Sequence, residues 1–256
     1  IFSYGDKKYK KKLPANVFLL ANKYNFHYLL YQFLICFFYF RQVLSCDVFR
    51  VLQITGGIPA IIVKLIFGKR IVVTYGFDYS LVANIENKVI RSHLLKIFIK
   101  LILAFADKII ATTQKNYQLL KKTYPKKICF IANGVDSNLF KPFKKIKKEK
   151  LNILNIGRLE KQKNQKLLIE AVALIKLKNK IKITLIGNGS LKKDLLLSAL
   201  NNNIRLEIIN RISYMKLPQY FTGADIFCLP SLAEGSPKAL LEAMSCGIPC
   251  LVSNIA

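Results

Sequence analysis

From residue 151 onward, short apolar runs alternate with segments whose apolar residues recur at helical spacing, and few folds accept that pattern. Ile153–Ile156, Ile181–Ile186, Ile204–Ile209, Ile226–Leu229 and residues 249–252 read as strands. Between them, Leu167–Leu177 carries apolar residues at 168, 171, 172 and 175. A Leu-rich stretch near 191–200, Leu217–Phe221 and residues 237–246 read as further helices. Strand followed by helix, repeated, implies βαβ units and a parallel sheet. The preceding part has the same habit, with strands at Val48–Ile54, Arg70–Thr74, Lys108–Thr112 and Ile128–Ala132 and helices near 26–42, 57–66, 88–105 and 114–122. The expectation is an α/β chain with a first domain over 1–140, a basic linker at 141–150 (KPFKKIKKEK) and a second domain over 151–256.

A chain of 256 residues that is 52% hydrophobic can bury a sizeable core, which excludes a disordered reading. Lys and Arg number 41 against 14 Asp and Glu, a net of +27, of which +20 falls in residues 1–150. That field suits an anionic membrane surface or nucleic acid, while the joint abundance of Lys, Asn and Ile offers codon bias as another source. The basic residues are dispersed through apolar helices without finger spacing or an RNA-binding aromatic motif, so no nucleic acid is expected. A non-catalytic basic protein binding membrane or nucleic acid remains the rival class. Six cysteines without a CxxC pair, beside two histidines, argue against zinc or a disulfide framework.

No run reaches the roughly 20 apolar residues that span a bilayer. The nearest, Phe26–Phe40, admits three readings: a buried helix, a membrane-surface contact or a span. Arg91–Lys108 places Lys96 and Lys100 on one face of an otherwise apolar helix, which suits anionic lipid or a core helix with snorkelling lysines. With Lys7–Lys12 and the local charge added, peripheral membrane binding is expected.

In an open parallel sheet, ligands bind beyond the carboxyl ends of the strands. Three loops of the second half stand there: Gly157-Arg158, Gly187-Asn188-Gly189 and Pro230–Ser236. Glycines permit close backbone approach, and Arg158 and Lys163 are donors suited to a diphosphate, although a Gly-x-Gly after a strand is more often a tight turn. The segment EGSPKALLEAMSCGIP (234–249) is more specific. Ser236 fits an N-cap, Pro237 a first helical residue and Gly247 a helix stop, leaving the amides of Lys238 and Ala239 free at a positive helix end suited to phosphate. Glu242 is placed about two turns into that helix, reaching the crevice only if its face is unburied. It is either a bidentate ligand for a ribose diol or a surface residue paired with Lys238.

Taken together these stretches resemble the retaining glycosyltransferases of family 4, the glycosyl transferases group 1. The resemblance rests on GRLEKQKN (157–164), LIGNGSL (185–191), ADIFCLPSLAEGSPKALLEAMSCGIPCLVSN (224–254), ANGVDSNLFKP (132–142), ADKIIATTQ (106–114) and the E-x7-E spacing of Glu234 and Glu242. It implies a GT-B fold of two Rossmann-like domains with parallel sheets, apparently truncated at both ends, acting on a nucleoside-diphosphate sugar as co-substrate without cofactor or metal. By that resemblance Arg158, Lys163 and Glu234 are catalytic. Arg158 and Lys163 hold the diphosphate, and Glu234 contacts the donor sugar. Gly157, Gly187, Gly189, Arg211, Gly235, Ser236, Lys238, Ala239 and Glu242 are donor-binding, with Glu242 on the ribose and the backbone of Asn210–Ile212 beside the base. The implied acceptor is a glycan or lipid-linked saccharide at the cytoplasmic face of a membrane. No general base is evident, which suits assistance by the leaving phosphate.

The chain departs from the family pattern in places. Thr74-Tyr75-Gly76 stands where many members read Thr-His-Gly, so a histidine role is not carried over, and His27 and His93 are expected to be structural. Asn164 and Asn210 stand where Gly is common. The family's first Gly-rich loop and its closing strand and helices are expected to be missing, and an inactive fragment is the third reading.

Overall fold

The computed structural model describes residues 20, 22, 26–143 and 150–255. Lys7–Lys12 and residues 144–149 of the expected linker lie outside the described residues. The described residues fold as two units, one running up to Gly76 and including Leu94–Ile131, the other made of Phe77–His93 and the chain from Ala132 on. The segment 77–93 therefore groups with the second unit although it precedes the linker.

The first unit holds four parallel strands in sequential order: β1 (Val48–Val51), β2 (Arg70–Tyr75), β3 (Lys108–Ala111) and β4 (Ile128–Phe130). Helix α3 (Gly57–Phe67) links β1 to β2, and α6 (Gln114–Lys121) links β3 to β4. The helix expected over 26–42 is two, α1 (Tyr28–Phe38) and α2 (Phe40–Leu44). Tyr39 separates them at φ −119° and ψ 34°, with its side chain buried beside Tyr31, Ile35, Cys36 and Val43. The expected strand Val48–Ile54 is also shorter, because Ile54–Gly56 wind into a 3₁₀ turn that leads into α3.

The second unit holds a five-stranded parallel sheet of β5 (Leu151–Ile156), β6 (Ile181–Ile186), β7 (Arg205–Ile209), β8 (Ile226–Leu229) and β9 (Cys250–Val252). Its order is β7-β6-β5-β8-β9, so the chain reverses its direction of growth between β5 and β8. The carboxyl ends of those two strands flank the crevice where such sheets take their ligands.

Helices cover both faces, which is why β6 is buried along nearly its whole length rather than alternating. On one face, Leu168, Ile169 and Val172 of α7 (Gln165–Ala173) and Leu195 and Ala199 of α8 (Lys192–Asn201) pack on Ile153, Ile183 and Leu185. On the other, Phe221 of α9 (Leu217–Thr222) and Ala243 of α10 (Lys238–Ser245) pack on Leu154, Phe227 and Leu229. Phe140, from the segment before the linker, is fully buried in this second cluster. Its ring meets Phe221 edge-on at 5.8 Å, and its carbonyl accepts a hydrogen bond from Ser245 Oγ.

Asp107 and Asp225, each preceded by Ala, anchor the start of a strand in the same way. Asp107 accepts from the Ile71 amide at 2.7 Å, and Asp225 accepts from the Asn152 amide at 2.8 Å, so each carboxylate pins the amide of the neighbouring strand's second residue.

Candidate functional site

Three loops leave the carboxyl ends of β5, β6 and β8, and backbone hydrogen bonds knit the first two together. The Gly157 amide donates to the Ile186 carbonyl, the Leu159 amide to Asn188 and the Leu191 amide back to Leu159, each at 3.0 Å. Ser190 adds its amide and hydroxyl to the Glu160 carboxylate at 3.0 and 2.7 Å. The glycines of the second loop serve this contact. A Cβ at Gly187 would fall 1.8 Å from the Gly157 carbonyl oxygen, and one at Gly189 would fall 2.3 Å from that of Leu159. The close approach expected of them is thus an approach to the loop that carries Arg158. Gly157 borders the Lys163 side chain, 3.4 Å from where its own Cβ would lie.

An overpacked backbone contact of this kind costs about 1–3 kcal/mol, roughly 2–12 °C in melting temperature for a chain of this size. Gly187→Ala is expected to lower the melting temperature by that amount, whereas Gly134→Ala, which meets nothing within 4 Å, is expected to leave it within about 1 °C. Equal melting of the two variants in a calorimetric scan would contradict the packing argument.

After β5 the chain passes through Gly157 and Arg158 into a 3₁₀ turn over Lys161–Lys163. Asn164 follows in the left-handed region at φ 49° and leads into α7. That conformation explains Asn at a position where Gly is common, since Asn is among the few other residues that tolerate it. The turn places Lys163 over the loop that follows β8. Its Nζ reaches Glu234 Oε1 at 2.5 Å, and Ser231, itself buried, donates from Oγ to the same oxygen at 2.6 Å. Arg158 is exposed, and its Nη2 donates to Gln162 Oε1 at 3.4 Å. Glu86, from the 77–93 segment, also senses Arg158. Its carboxyl is held below the ordinary range first by a hydrogen bond from Lys88 and more weakly by Arg91 and Arg158, against a partial opposition from burial.

The helix after this loop starts one residue later than expected. Pro237 is the N-cap, at φ −70° and ψ 109°, and Lys238 is the first helical residue. Ser236 does not cap. Its carbonyl accepts from Asn133 Nδ2 at 2.9 Å, which ties the ANG segment to this loop. Leu240 is the first residue whose amide finds a helical carbonyl, that of Pro237, so the Lys238 and Ala239 amides precede the ladder as expected. Gly247 ends the helix at φ 70°, with the Gly247 and Ile248 amides bonding Met244 and Ala243.

Glu242 is the fifth residue of α10, a little over one turn in rather than two. The surface reading of Glu242 does not hold. Its face is buried, with 5% of the residue exposed, so it is not a surface partner of Lys238. The Tyr214 hydroxyl donates to its carboxylate. Burial raises the Glu242 carboxyl above its ordinary value, opposed by Tyr214 and, more weakly, by the Lys238 ammonium. Tyr214 is half-exposed, with its ring edge-on to Phe140 at 5.3 Å.

The structure thus gathers Arg158, Lys163 and Glu234 around one crevice, with Gly235 and Ser236 leading from it to the α10 N-terminus. Gly187 and Gly189 lie behind the Arg158 loop. Arg211 lies just beyond β7, exposed, and its neighbour Asn210 accepts from Lys192 Nζ at 2.8 Å. His93 bonds the Val89 carbonyl of its own helix at 3.0 Å, a structural contact. Sequence reasoning missed Ser231, and also Gln162 and Tyr214, which meet Ala233 and Glu242 far along the chain. It also missed helix α4 (Tyr79–Ile85), for which Asp78 was a legible N-cap: its Oδ1 accepts from the Ser80 amide at 2.9 Å.

A family model for glycosyl transferases group 1 matches residues 136–256, which take in all three loops and α10. Residues 136–256 belong to the glycosyl transferases group 1. Two curated relatives extend the likeness beyond that segment. An Escherichia coli UDP-Gal:alpha-D-GlcNAc-diphosphoundecaprenol alpha-1,3-galactosyltransferase is 37% identical over 155 residues, covering 53% of this chain and 39% of that protein. The Staphylococcus aureus capsular polysaccharide biosynthesis glycosyltransferase CapH is 32% identical over 191 residues, covering 70% and 49%. The chain therefore spans about two fifths to one half of these relatives. Among solved structures, Anabaena HepE in complex with UDP and glucose superposes with a TM-score of 0.74 at 18% identity, over 93% of this chain and 67% of that one. This likeness shows the fold: the chain has the GT-B architecture that the resemblance implied.

Proposed function

We propose that the chain is the core of a retaining family 4 glycosyltransferase that moves a sugar from a nucleoside-diphosphate donor to an acceptor hydroxyl. The observation that carries this reading is the crevice at the β5/β8 reversal, where Lys163 pairs with Glu234 ahead of α10 and Arg158 bonds Gln162 on the same loop as Lys163. Arg158 and Lys163 meet the diphosphate, and the Lys238 and Ala239 amides add donors at the positive end of the helix. Lys163 is neutralised by Glu234, and a diphosphate competes for that ammonium. Glu234 then turns an oxygen to the donor sugar. A carboxylate accepts about four hydrogen bonds, so Glu242 can take the ribose hydroxyls beside the Tyr214 hydroxyl when donor binds. In transfer, the acceptor oxygen bonds the anomeric carbon, the carbon–oxygen bond to the phosphate breaks, and the acceptor proton passes to the departing diphosphate. Fixed cations stabilise the charge that develops on that leaving group. No metal or cofactor takes part in this scheme.

The acceptor is a glycan or lipid-linked saccharide in polysaccharide assembly, in line with the diphosphoundecaprenol acceptor and capsular pathway that the relatives' names give. A lipid-linked acceptor calls for enzyme at the membrane surface, here its cytoplasmic face. No helix among the described residues is long and apolar enough to cross a membrane. In helix α5 (Val89–Phe105), Ile99, Ile102 and Leu103 are buried, whereas Leu94, Ile97 and Leu101 are exposed beside the exposed Lys96 and Lys100. Helix α1 likewise exposes Leu30, Phe33 and Phe37. Apolar stripes with lysines beside them suit an anionic bilayer.

The test supplies the full chain with UDP-, GDP- and ADP-sugars and a polyprenyl-diphosphate saccharide on phosphatidylglycerol vesicles. Expected is consumption of sugar on one base, in the presence of EDTA, with an α-linked product from an α-linked donor and most of the protein sedimenting with the vesicles at low salt. A folded chain that sediments but turns over no donor would replace this reading with a non-catalytic membrane-binding one.

A further inference from the structure

Gln162 has no charge and cannot itself neutralise a phosphate, yet it stands where the cationic and acidic loops of the crevice meet. Its residue is 3% exposed. Its Oε1 accepts from Arg158 Nη2 at 3.4 Å, and its Nε2 donates to the Ala233 carbonyl at 2.6 Å. Its own carbonyl accepts from the Leu232 amide at 2.8 Å. The orientation of the amide follows from its partners, because a guanidinium offers only donors and a carbonyl only acceptors. One side chain therefore holds Arg158 from one loop and the residue next to Glu234 from another, 71 positions away in the chain for the Ala233 contact.

A second buried amide braces the same turn from beneath. Gln165, fully buried, donates from Nε2 to the Arg158 carbonyl at 2.9 Å and to Asn155 Oδ1 at 3.3 Å. Asn155 in turn donates to the Cys228 carbonyl at 2.7 Å, joining β5 to β8 below the crevice. The backbone around Arg158 is thus fixed by Gln165, while Gln162 is the one hydrogen-bond partner described for its guanidinium.

We infer that Gln162 is a positioning residue of the donor site: through its amide it sets the Arg158 guanidinium against the Ala233–Glu234 loop, so that one diphosphate sugar meets both. The inference rests on the donor-site reading above and adds a residue that touches no substrate. Its physical content is preorganisation, since a cation held in place before the ligand arrives loses less freedom on binding. Replacing the amide leaves the charge of Arg158 intact and removes its placement together with the tie to the Ala233 carbonyl.

The experiment measures dissociation constants of the full chain for the nucleoside diphosphate it binds best among UDP, GDP and ADP, and for the matching monophosphate. Their ratio isolates the contribution of the second phosphate and does not move with a uniform loss of stability. Gln162→Met, which keeps length and volume, is expected to lower the preference for diphosphate about tenfold, the scale of one hydrogen bond to a charged group. Arg158→Ala is expected to lower it at least as much, and adding Gln162→Met to Arg158→Ala is expected to change it no further, because the two act as one unit. If Gln162→Met does not melt cooperatively, Gln162→Glu serves in its place. Its carboxylate neutralises Arg158 and presents an oxygen to the Ala233 carbonyl, so it is expected to lower the same ratio. An unchanged ratio in the folded variant, or effects that multiply in the double variant, would overturn the role of Gln162 alone. No nucleotide binding by the unaltered chain would instead overturn the donor-site reading, and this inference with it.

Discussion

Arg158→Ala is expected to slow sugar transfer by about 10²–10³-fold at saturating donor, the usual effect of deleting one fixed donor that faces developing charge. The argument is electrostatic. Arg158 is exposed, with only a long hydrogen bond to Gln162 and a weak interaction with Glu86 described for its side chain. Its charge is therefore largely available to a leaving diphosphate. Lys163 differs, because its ammonium lies on Glu234 at 2.5 Å with both side chains mostly buried. Lys163→Ala removes a phosphate donor and also leaves Glu234 with Ser231 as its remaining described partner, so a loss of stability accompanies the loss of rate. The two variants are thus separable by combining initial-rate kinetics with thermal melting. Arg158→Ala loses kcat at nearly unaltered melting temperature, and Lys163→Ala loses both. Wild-type kcat in Arg158→Ala would remove the guanidinium from the mechanism.

Glu242→Gln is expected to weaken nucleotide binding by about 10–100-fold and, at neutral pH, to stabilise the fold. Binding suffers because a hydrogen bond to a charged acceptor is worth about 1.5–3 kcal/mol and a ribose diol makes two. Stability gains because burial raises the Glu242 carboxyl above its ordinary value, so the native state holds its proton more tightly than the unfolded chain does. Where the native state binds more protons, stability falls as pH rises, here from the ordinary carboxylate value up to the raised one, and the cost persists above it. Tyr214 and Lys238 moderate this cost. Cys246, pushed up to about 11 by burial and then by Glu242, stays a neutral thiol, and Asp136 acts on Tyr214 rather than on Glu242 directly. The glutamine keeps an acceptor for the Tyr214 hydroxyl and removes the charge. A gain of about 1 kcal/mol, or 2–4 °C, is expected near pH 7, vanishing below the ordinary carboxylate range. Melting scans at several pH values check the sign. A glutamine variant that melts lower at pH 7 and binds nucleotide like the parent would contradict both parts.

Much of the second unit was legible because its strands are short apolar runs bounded by Gly, Asn or Pro, and a buried parallel sheet leaves little else for such runs to be. Ile181–Ile186 and Ile226–Leu229 match the expectation residue for residue. The charged residues of the crevice were legible through family resemblance, and Asn164 shows why one departure from the pattern is tolerated. Gln162, Ser231 and Tyr214 were not legible, because local sequence does not reveal that Gln162 meets Ala233 or that Tyr214 meets Glu242. Those meetings exist only once β5 lies beside β8 and Phe140 fills the space below α10. The helix start at Lys238 was misjudged by one residue for a local reason: Pro237 fits both N-cap and N1, since its fixed φ suits either, and only ψ decides. The break at Tyr39 has no Pro or Gly to announce it and follows from the burial of a single ring.

The most direct test of a nucleoside-diphosphate donor site is a thermal-shift titration of the full chain with UDP, GDP and ADP. A nucleotide at about 100 times its dissociation constant should add roughly 2.7 kcal/mol, or about 5–10 °C for a chain of this size. The expected result is a saturable shift of that size with one base, reduced in Arg158→Ala and in Glu242→Gln. A cooperatively melting protein that shows no shift with any of the three would contradict the donor-site reading at its root.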